Sequence, residues 1–472
     1  MGIRAISNDL KITPIGQVVA GSGLFPSSAD FFLREIWDRW PSLEQLLPAQ
    51  LRIANDDEEP EDFDISDIAF ALFHLTLTSP EFESVEPPAY RFIPYQLGER
   101  RKTDRATRLE HVLSVQPWDR NVFAVNAADI SVDWINGHPL RDLEGRFLDL
   151  RGGSLMLLFR DLGQVLYGVM ELLLAVTNPN LSIDDQVPTF QTDKDRRKSI
   201  RRLIGVLRQL CIRLDAGVPD DVAWLSAILD DSANRVRRRL LNSVQIMALK
   251  RGGFSAPNAI LDDGRFSDLV AVLRGVHSEA DQFARRLKEG ISRWREEKRE
   301  NLKSRQMSRL PAICHDPLNQ FYELRGDEFE SCVESVMECL NLEIEDRDGP
   351  GKTSFPDFVM KIFTSADLVI ECKSKDGKRF VAFNSATDVI RKASVNGFQD
   401  SFKVTVCQPY CSPDIARKIQ SCDELSVVDP EDLAEAFVRI YESKLSLNDF
   451  FNWITQPGQP KREHLPYNSR RV

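Results

Sequence analysis

The spacing of apolar residues changes character along the chain and divides it into regions. From residue 1 to about 115, large apolar residues recur at helical spacing, as in SADFFLREIWDRW and DISDIAFALFHLTLTS. Within 119–150, the segments VFAVN and ISVDWIN predict two short strands, with a turn at Asn136-Gly137. A long apolar helix follows and ends near residues 178–180, and the chain from 193 to 310 is helical again.

The last third of the chain alternates between helical and strand-like segments. A helix opens at Gly326, and LEIED, FPDFVMKIF and DLVIECK are typical of strands. After the helical SATDVIRKAS come the strand-like FKVTVCQ and LSVVD and the helical DLAEAFVRIYES. The expected fold class is therefore α plus α/β: a largely helical N-terminal two thirds and a C-terminal α/β domain with a central mixed sheet.

Charge divides the chain in the same places. The net charge of −11 over 472 residues is the total of −13 over 1–192, +10 over 193–310 and −8 over 311–472. We predict an acidic, mostly helical domain (1–192), a basic helical region (193–310), the α/β domain (311–446) and a C-terminal tail (447–472). The acidic total excludes a protein that coats nucleic acid by bulk charge.

The basic region allows two interpretations. Its arginine clusters, which include Arg237, Arg238 and Arg239, could hold the phosphates of a nucleic acid. Alternatively, they form surface salt bridges on a helical bundle.

The eight cysteines are too few for a disulfide framework. Since the start lacks the apolar core of a signal peptide and the most apolar stretch (155–176) contains three charged residues, we expect a cytoplasmic protein without a membrane partner.

One of three Glu-x-Lys triplets in the chain follows a strand-like run. Glu371 and Lys373 end the segment ADLVIECK, and residues i and i+2 of a strand share a face. Both side chains are therefore expected on one side of the sheet, with Cys372 packed on the other. The triplets at 296–298 and 442–444 lie in helical surroundings, where i and i+2 do not share a face.

A Pro-Asp pair precedes this triplet at hairpin distance. Asp357 lies fourteen residues before Glu371, and two adjacent strands connected in this way can bring their carboxylates together at one sheet edge. Carboxylates so close repel each other and need a divalent cation, for which oxygen ligands favour Mg²⁺, with Mn²⁺ as a substitute. A lysine beside the ion can orient a water and offset the charge that develops during phosphodiester hydrolysis. Glu330, on the opening helix, could supply a third carboxylate.

These residues stand in a recognisable order. A helix with GDEFE, a strand, a Gly-rich turn, Pro356-Asp357, the 371–373 triplet and an alternating α/β segment follow one another between about 315 and 446. This order resembles the restriction-endonuclease-like superfamily of PD-(D/E)xK nucleases, and the opening helix is most similar to the Mrr-type branch. The segment covers less than a third of the chain. Unlike some branches, the helix after the triplet lacks Gln-x-x-x-Tyr.

The resemblance implies a role for each residue of the motif. Asp357 and Glu371 would be metal ligands, and the Cys372 carbonyl would be a further ligand. Lys373 would be the catalytic lysine, and Glu330 an auxiliary acid of the metal site. The resemblance also implies a restriction-endonuclease-like α/β fold for this domain.

The expected function is that of a Mg²⁺-dependent DNA endonuclease, of the kind that acts in restriction or phage defence. The N-terminal region would then contact a second copy of the chain or another defence-system subunit. On the helix after the triplet, Arg391 and Lys392 either contact phosphate or form a solvated face. The alternative function is a non-catalytic nucleic-acid-binding or assembly protein with the same fold.

A P-loop ATPase is a further alternative, because residues 346–353 (DRDGPGKT) differ from a Walker A loop at one position. The first Gly of that loop is replaced by Asp346. Pro356 then follows where the loop requires a helix, and the pattern becomes strand-like. A Gly-rich turn before Asp357 is the simpler interpretation.

Overall fold

The computed structural model describes most of the chain, in several segments. These are residues 13–47, 64–83, 105, 108–109, 112, 122–145, 150–177, 190, 193–230, 238–339, 342, 344–349, 354–363, 366–375, 380–412, 415–419, 422, 424–462 and 465. The chain divides into two compact units, Met1–Ser255 with Val272–Ser278, and Ala256–Ala271 with Glu279–Val472. The basic segment 193–310 is thus shared between the two units.

The first unit is built from helices. They are α1 (Pro14–Ser22), α2 (Pro26–Glu44), α3 (Ser66–Leu77), α4 (Pro80–Glu83), α5 (Val122–Ile135), α6 (Leu140–Glu144), α7 (Gly152–Val176), α8 (Lys194–Ile200), α9 (Arg202–Ala216), α10 (Asp220–Ala223) and α11 (Ser243–Arg251). A 3₁₀ helix (Trp224–Ala227) and a short antiparallel ribbon of β1 (Leu229–Asp230) and β2 (Arg238–Arg239) lie between α10 and α11.

Helices α5, α7 and α9 meet in the core of this unit. Trp134 of α5 stacks on Phe159 of α7 with 4.9 Å between ring centroids, and its Nε1 donates to the Leu214 carbonyl of α9 at 2.7 Å. Gly217 ends α9 with a φ of +66°, and a Cβ there would meet the Trp134 ring at 2.2 Å. The left-handed conformation and the close approach of the ring both favour glycine at this position.

The two strands predicted within 119–150 are wrong, because this stretch forms helix α5. Apolar side chains on most of its circumference are buried, including Val125, Ile130 and Ile135. A helix buried on most sides carries a nearly continuous apolar run, which periodicity cannot distinguish from a strand. The polar residues fit a helix: the Ser131 hydroxyl donates to the carbonyl of residue 127 at 2.7 Å. Gly137, with a φ of +83°, follows the end of this helix and does not turn a hairpin.

The second unit contains the sheet. Helix α13 (Phe266–Arg274) crosses the boundary between the units. The other helices are α12 (Pro257–Leu261), α14 (Ala280–Ser308), α15 (His315–Glu323), α16 (Gly326–Cys339), α17 (Phe383–Ala386), α18 (Asp388–Val395), α19 (Ile415–Lys418), α20 (Pro430–Tyr441) and α21 (Leu447–Ile454), with 3₁₀ helices Asp263–Arg265 and Ala312–Cys314. The strands are β3 (Ile344–Arg347), β4 (Phe358–Phe363), β5 (Ala366–Ser374), β6 (Phe402–Gln408) and β7 (Leu425–Val428).

The five strands form one mixed sheet in the order β3-β4-β5-β6-β7. The pairs β3/β4 and β4/β5 are antiparallel, whereas β5/β6 and β6/β7 are parallel. Alternate residues of β5 enter cores on opposite faces of the sheet: Ile370 and Cys372 pack with α15, α16 and α20, and Val369 packs with α18. This architecture, after a mostly helical N-terminal region, confirms the predicted fold class.

The C-terminal segment continues the sheet beyond β7. Gly458 bridges Ser426 in parallel, with backbone hydrogen bonds of 2.9 Å on each side of that bridge. Residues 447–462, predicted as part of a tail, therefore pack into this unit. Within the described segments, no helix has both the length and the apolar character needed to cross a membrane.

Candidate functional site

The carboxylates of Asp357 and Glu371 lie side by side at the β4/β5 hairpin. Phe358 pairs with Ile370 in the antiparallel register, so the next position outward sets Asp357 opposite Glu371. Glu371 is fully buried, and Asp357 is 8% exposed. The Cys372 backbone N–H donates to Asp357 Oδ2 at 2.6 Å, which fixes one edge of that carboxylate.

Two lysines converge on Glu371. Lys373, from the same strand, donates to Glu371 Oε1. Lys392, from helix α18, lies with its Nζ 2.6 Å from the same Oε1 and 3.6 Å from Asp357 Oδ1. Glu371 Oε2 is buried and has no hydrogen-bond partner among the described residues. One oxygen of the buried carboxylate is thus doubly paired, and the other is left as an unused acceptor.

The electrostatics of the site are dominated by excess negative charge. Burial, with the nearby charges of Glu371 and Glu330, raises the pKa of Asp357 to about 7, although the Cys372 N–H and Lys392 work in the opposite direction. Burial and the charges of Asp327 and Glu371 also raise the pKa of Glu330. The two lysines therefore do not neutralise the carboxylates completely, and a further cation would be favoured here.

Helix α18 is tied to the strand that carries Asp357. Val389 and Ala393 bury the inner face of the helix against the sheet. At its C-terminal end, Asn396 Nδ2 donates to the Lys392 carbonyl at 2.8 Å and to the Ser354 carbonyl at 2.9 Å. Ser354 has a φ of +58° and lies three residues before Asp357. One amide thus connects the end of α18 to the entry of β4.

The donor set fits a Mg²⁺ ion held by two carboxylates. Mg²⁺ is commonly bound through one or two carboxylates and keeps several water ligands. Asp357 and Glu371 provide these carboxylates, and the unpartnered Glu371 Oε2 is an acceptor that an ion would satisfy. In the described part of the chain, no group of three or more His, Cys, Asp or Glu side chains has the geometry of a metal site. The third carboxylate ligand, Glu330, stays a prediction.

The predicted site residues fall into two groups. Asp357, Glu371 and Lys373 come together, as the hairpin and strand arguments predicted, and the Cys372 side chain packs in the core behind them. Sequence reasoning did not find that Lys392 belongs to this site. The sequence of α18 did contain an indication that Lys392 lies near the sheet, because Lys392 directly precedes Ala393, which is buried.

The remaining predicted phosphate contacts are Arg391, Arg237, Arg238 and Arg239. Arg391 is 59% exposed and pairs with Asp388 one turn earlier on the same helix, at 2.8 Å. Arg237 lies outside the described residues. Arg238 and Arg239 form strand β2 of the first unit, where Arg239 is ion-paired with Asp215.

Several basic residues of α14 form salt bridges with acidic residues of the second unit. Arg295 lies 3.5 Å from Asp429, and Arg299 lies 3.2 Å from Glu431. Lys303, one further turn along, lies 2.8 Å from Glu323. These three cations, spaced four residues apart, hold the helix to its own unit. They are salt bridges, as one interpretation of the basic segment expected, but the three cations are largely shielded from solvent and do not lie on the surface.

Comparison with protein-family models gives no match, and no curated protein matches the chain. Neither comparison therefore indicates a function. Residues 350–353 of the Walker-like loop lie outside the described residues. Within four residues of Ser354 the chain enters strand β4, where a P-loop requires a helix.

Proposed function

We propose that the C-terminal unit hydrolyses phosphodiester bonds as a Mg²⁺-dependent DNA endonuclease, with Mn²⁺ as a substitute metal. The observation that carries the proposal is the buried Glu371, whose Oε2 has no hydrogen-bond partner in the described part of the chain, with Asp357 beside it and Lys373 following on the same strand face. The large majority of buried side-chain polar atoms have at least one hydrogen-bond partner. An unsatisfied one beside a second acid and a lysine is the arrangement that a hydrolytic metal site needs.

Each residue has a distinct task in this proposal. Asp357 and Glu371 would hold the ion, which supplies Lewis-acid polarisation of the phosphoryl oxygen and lowers the pKa of a bound water. Cys372 keeps Asp357 oriented through its backbone N–H, 2.6 Å from Oδ2. The Lys373 side chain is 27% exposed, so its ammonium is accessible to a water and to a phosphate oxygen at the mouth of the site.

The choice of DNA and of a defence role rests on the resemblance of the 315–446 segment to PD-(D/E)xK nucleases of the Mrr type. In that setting the first unit would bind a second copy of the chain or another subunit of a defence system. The Arg238–Arg239 ribbon would contribute to holding nucleic acid. A cytoplasmic location belongs to the same proposal.

The test is cleavage of supercoiled plasmid with Mg²⁺ by the full-length protein, with single-stranded DNA, modified DNA and RNA as further substrates. Asp357→Asn and Lys373→Met should each reduce cleavage at least about a hundredfold, the usual loss when one charge-stabilising group is removed. Lys444→Met is the matched control, because this 44% exposed lysine belongs to the Glu-x-Lys triplet at 442–444 and pairs with Glu442 at 2.9 Å, and it should cut like the wild type. A wild type inert on every substrate contradicts the enzyme proposal, and mutants that still cut contradict the site.

The nucleic-acid contact of the first unit needs a separate measurement. Changing Arg237, Arg238 and Arg239 to Glu in an Asp357→Asn background allows DNA affinity to be measured without cleavage. If these residues contact phosphates, affinity falls and the slope of log affinity against log salt becomes shallower. Unchanged affinity and slope would leave the arginines as surface ion-pair residues.

A further inference from the structure

We infer that Lys392 is a resident counter-ion of the Asp357–Glu371 pair, which competes with the divalent ion and must leave the carboxylates for that ion to bind. The inference rests on the proposed function and adds a form of regulation to the same site. It assigns to a helix residue a role that the strand motif does not contain.

The contacts of Lys392 distinguish it from the other lysine of the site. Lys392 pairs with both carboxylates, at 2.6 Å from Glu371 Oε1 and 3.6 Å from Asp357 Oδ1. Lys373 pairs with Glu371 and, at 3.8 Å, with Asp388. The Lys392 side chain is only 12% exposed, whereas Lys373 is 27% exposed. Lys392 is therefore the cation that lies between the two acids and is shielded from solvent.

The fold holds Lys392 in this place. Val389 and Ala393 anchor α18 on the sheet, so the position of its backbone is set by the core. Asn396 fixes the end of the helix, because its Nδ2 donates to the carbonyls of Lys392 and Ser354. Only the flexible side chain of Lys392 is free to withdraw, since the Cα is fixed and the four-carbon stem carries the charge.

Competition follows from electrostatics. Lys392 contacts one oxygen of each acid, Glu371 Oε1 and Asp357 Oδ1. An ion held by Asp357 and by the other oxygen of Glu371 would therefore lie close to the ammonium group, and this would bring like charges together. Lys392 therefore weakens apparent metal affinity by stabilising the metal-free state, in the manner of any ligand that binds one of two states. Removal of its charge should strengthen metal binding and destabilise the metal-free protein, because the acids would then repel each other without relief.

The decisive measurement is Mg²⁺ binding by calorimetry to the full-length protein without DNA. Lys392→Met keeps the apolar stem and removes the charge, and it should bind Mg²⁺ about tenfold more tightly, within the usual range of coupling between two ligands. Its metal-free melting temperature should fall, and Mg²⁺ should raise that temperature by more than in the wild type. Arg391→Met, the exposed neighbour on the same helix, should match the wild type in both measurements.

If Lys392→Met binds Mg²⁺ no more tightly than the wild type, the inference is wrong. If this variant does not fold, the wild type alone can decide the question. Acetylation of Lys392, followed by mass spectrometry, should increase when Mg²⁺ is added. Lys403, which is buried in a pair with Glu424 away from the carboxylates, should not change. Unchanged labelling of Lys392 in a protein that binds Mg²⁺ also overturns it.

The variant Asp357→Asn distinguishes a failure of the counter-ion role of Lys392 from a failure of the proposed function. If the wild type and Asp357→Asn bind Mg²⁺ equally, the carboxylates are not a metal site, and both the function and the counter-ion role fall. If Asp357→Asn loses binding while Lys392→Met binds like the wild type, the function stands and the counter-ion role alone fails.

Discussion

Two of the buried carboxylate clusters of the second unit are satisfied very differently. Asp429, at the end of β7, is fully buried and is paired on every side. It accepts hydrogen bonds from the Cys411 backbone N–H at 2.8 Å, Gln459 Nε2 at 3.1 Å and Lys461 Nζ at 3.2 Å, and Arg295 lies 3.5 Å away. Glu371, buried to the same degree, has one oxygen without any partner in the described part of the chain.

The pKa values of the two clusters move in opposite directions. Burial tends to raise the pKa of Asp429, but Lys461, Arg295 and the Cys411 N–H outweigh it, so the pKa is lowered. Burial also acts on Asp357, but there Glu371 and Glu330 add to it and the pKa rises to about 7. This contrast agrees with a structural role for Asp429 and with the proposal that Asp357 and Glu371 bind a metal ion.

The largest expected effect on stability is that of Asp429→Asn. The change leaves the partly buried Lys461 and Arg295 without their main counter-charge. Removing one partner of a buried pair costs about 3–5 kcal/mol. Urea unfolding at neutral pH would measure the loss. The matched variant is Asp357→Asn, which removes a repelling charge and should leave the metal-free protein at least as stable as the wild type. Equal losses in both variants would abolish the distinction between the clusters.

A smaller, pH-dependent effect sharpens the same comparison. Because the pKa of Asp357 is about 7 in the folded protein and near 4 in the unfolded chain, the folded state binds this proton more tightly. The stability of the metal-free wild type should therefore fall relative to Asp357→Asn as pH rises from about 4 to about 7. Melting temperatures of both proteins across that range, with chelator present, test this. A constant difference would show that Asp357 is not electrostatically strained.

For Asp429 the sign is reversed. Its lowered folded-state pKa means that the unfolded chain binds the proton more tightly, so its ionised form stabilises the protein above the unfolded-state value near 4. The advantage of the wild type over Asp429→Asn should therefore shrink as pH falls below about 4. The two substitutions thus give pH profiles of opposite slope from one unit of one protein.

The strand-borne part of the site could be predicted from the sequence, and the helix-borne part could not. A period of two places Glu371 and Lys373 on one face, and a hairpin of ordinary length brings Asp357 beside them. Lys392 lies nineteen residues after Lys373, and its approach depends on how α18 packs on the sheet. Sequence spacing contains no direct information on that packing.

The same reasoning explains the errors and successes in the fold. All five strands of the sheet were predicted because alternating helices and apolar runs bounded by turns left little ambiguity. Helix α5 was mistaken for strands because its burial on most sides hides the helical period. The basic segment was treated as one region, but charge cannot show which residues face inward. Arg295 and Arg299 are committed to acidic partners on their own unit.

The smallest expected effect concerns the ion pair of Arg239 and Asp215 in the first unit. The two side chains are 38% and 67% exposed, so water and salt screen the pair. Arg239→Gln should therefore cost less than about 1 kcal/mol in urea unfolding, in contrast to the buried Asp429 cluster. The stability cost of Arg239→Gln should be smaller still in high salt, because added salt screens the ion pair more strongly. A loss comparable to that of Asp429→Asn would mean that exposure does not separate structural from superficial charge pairs in this protein.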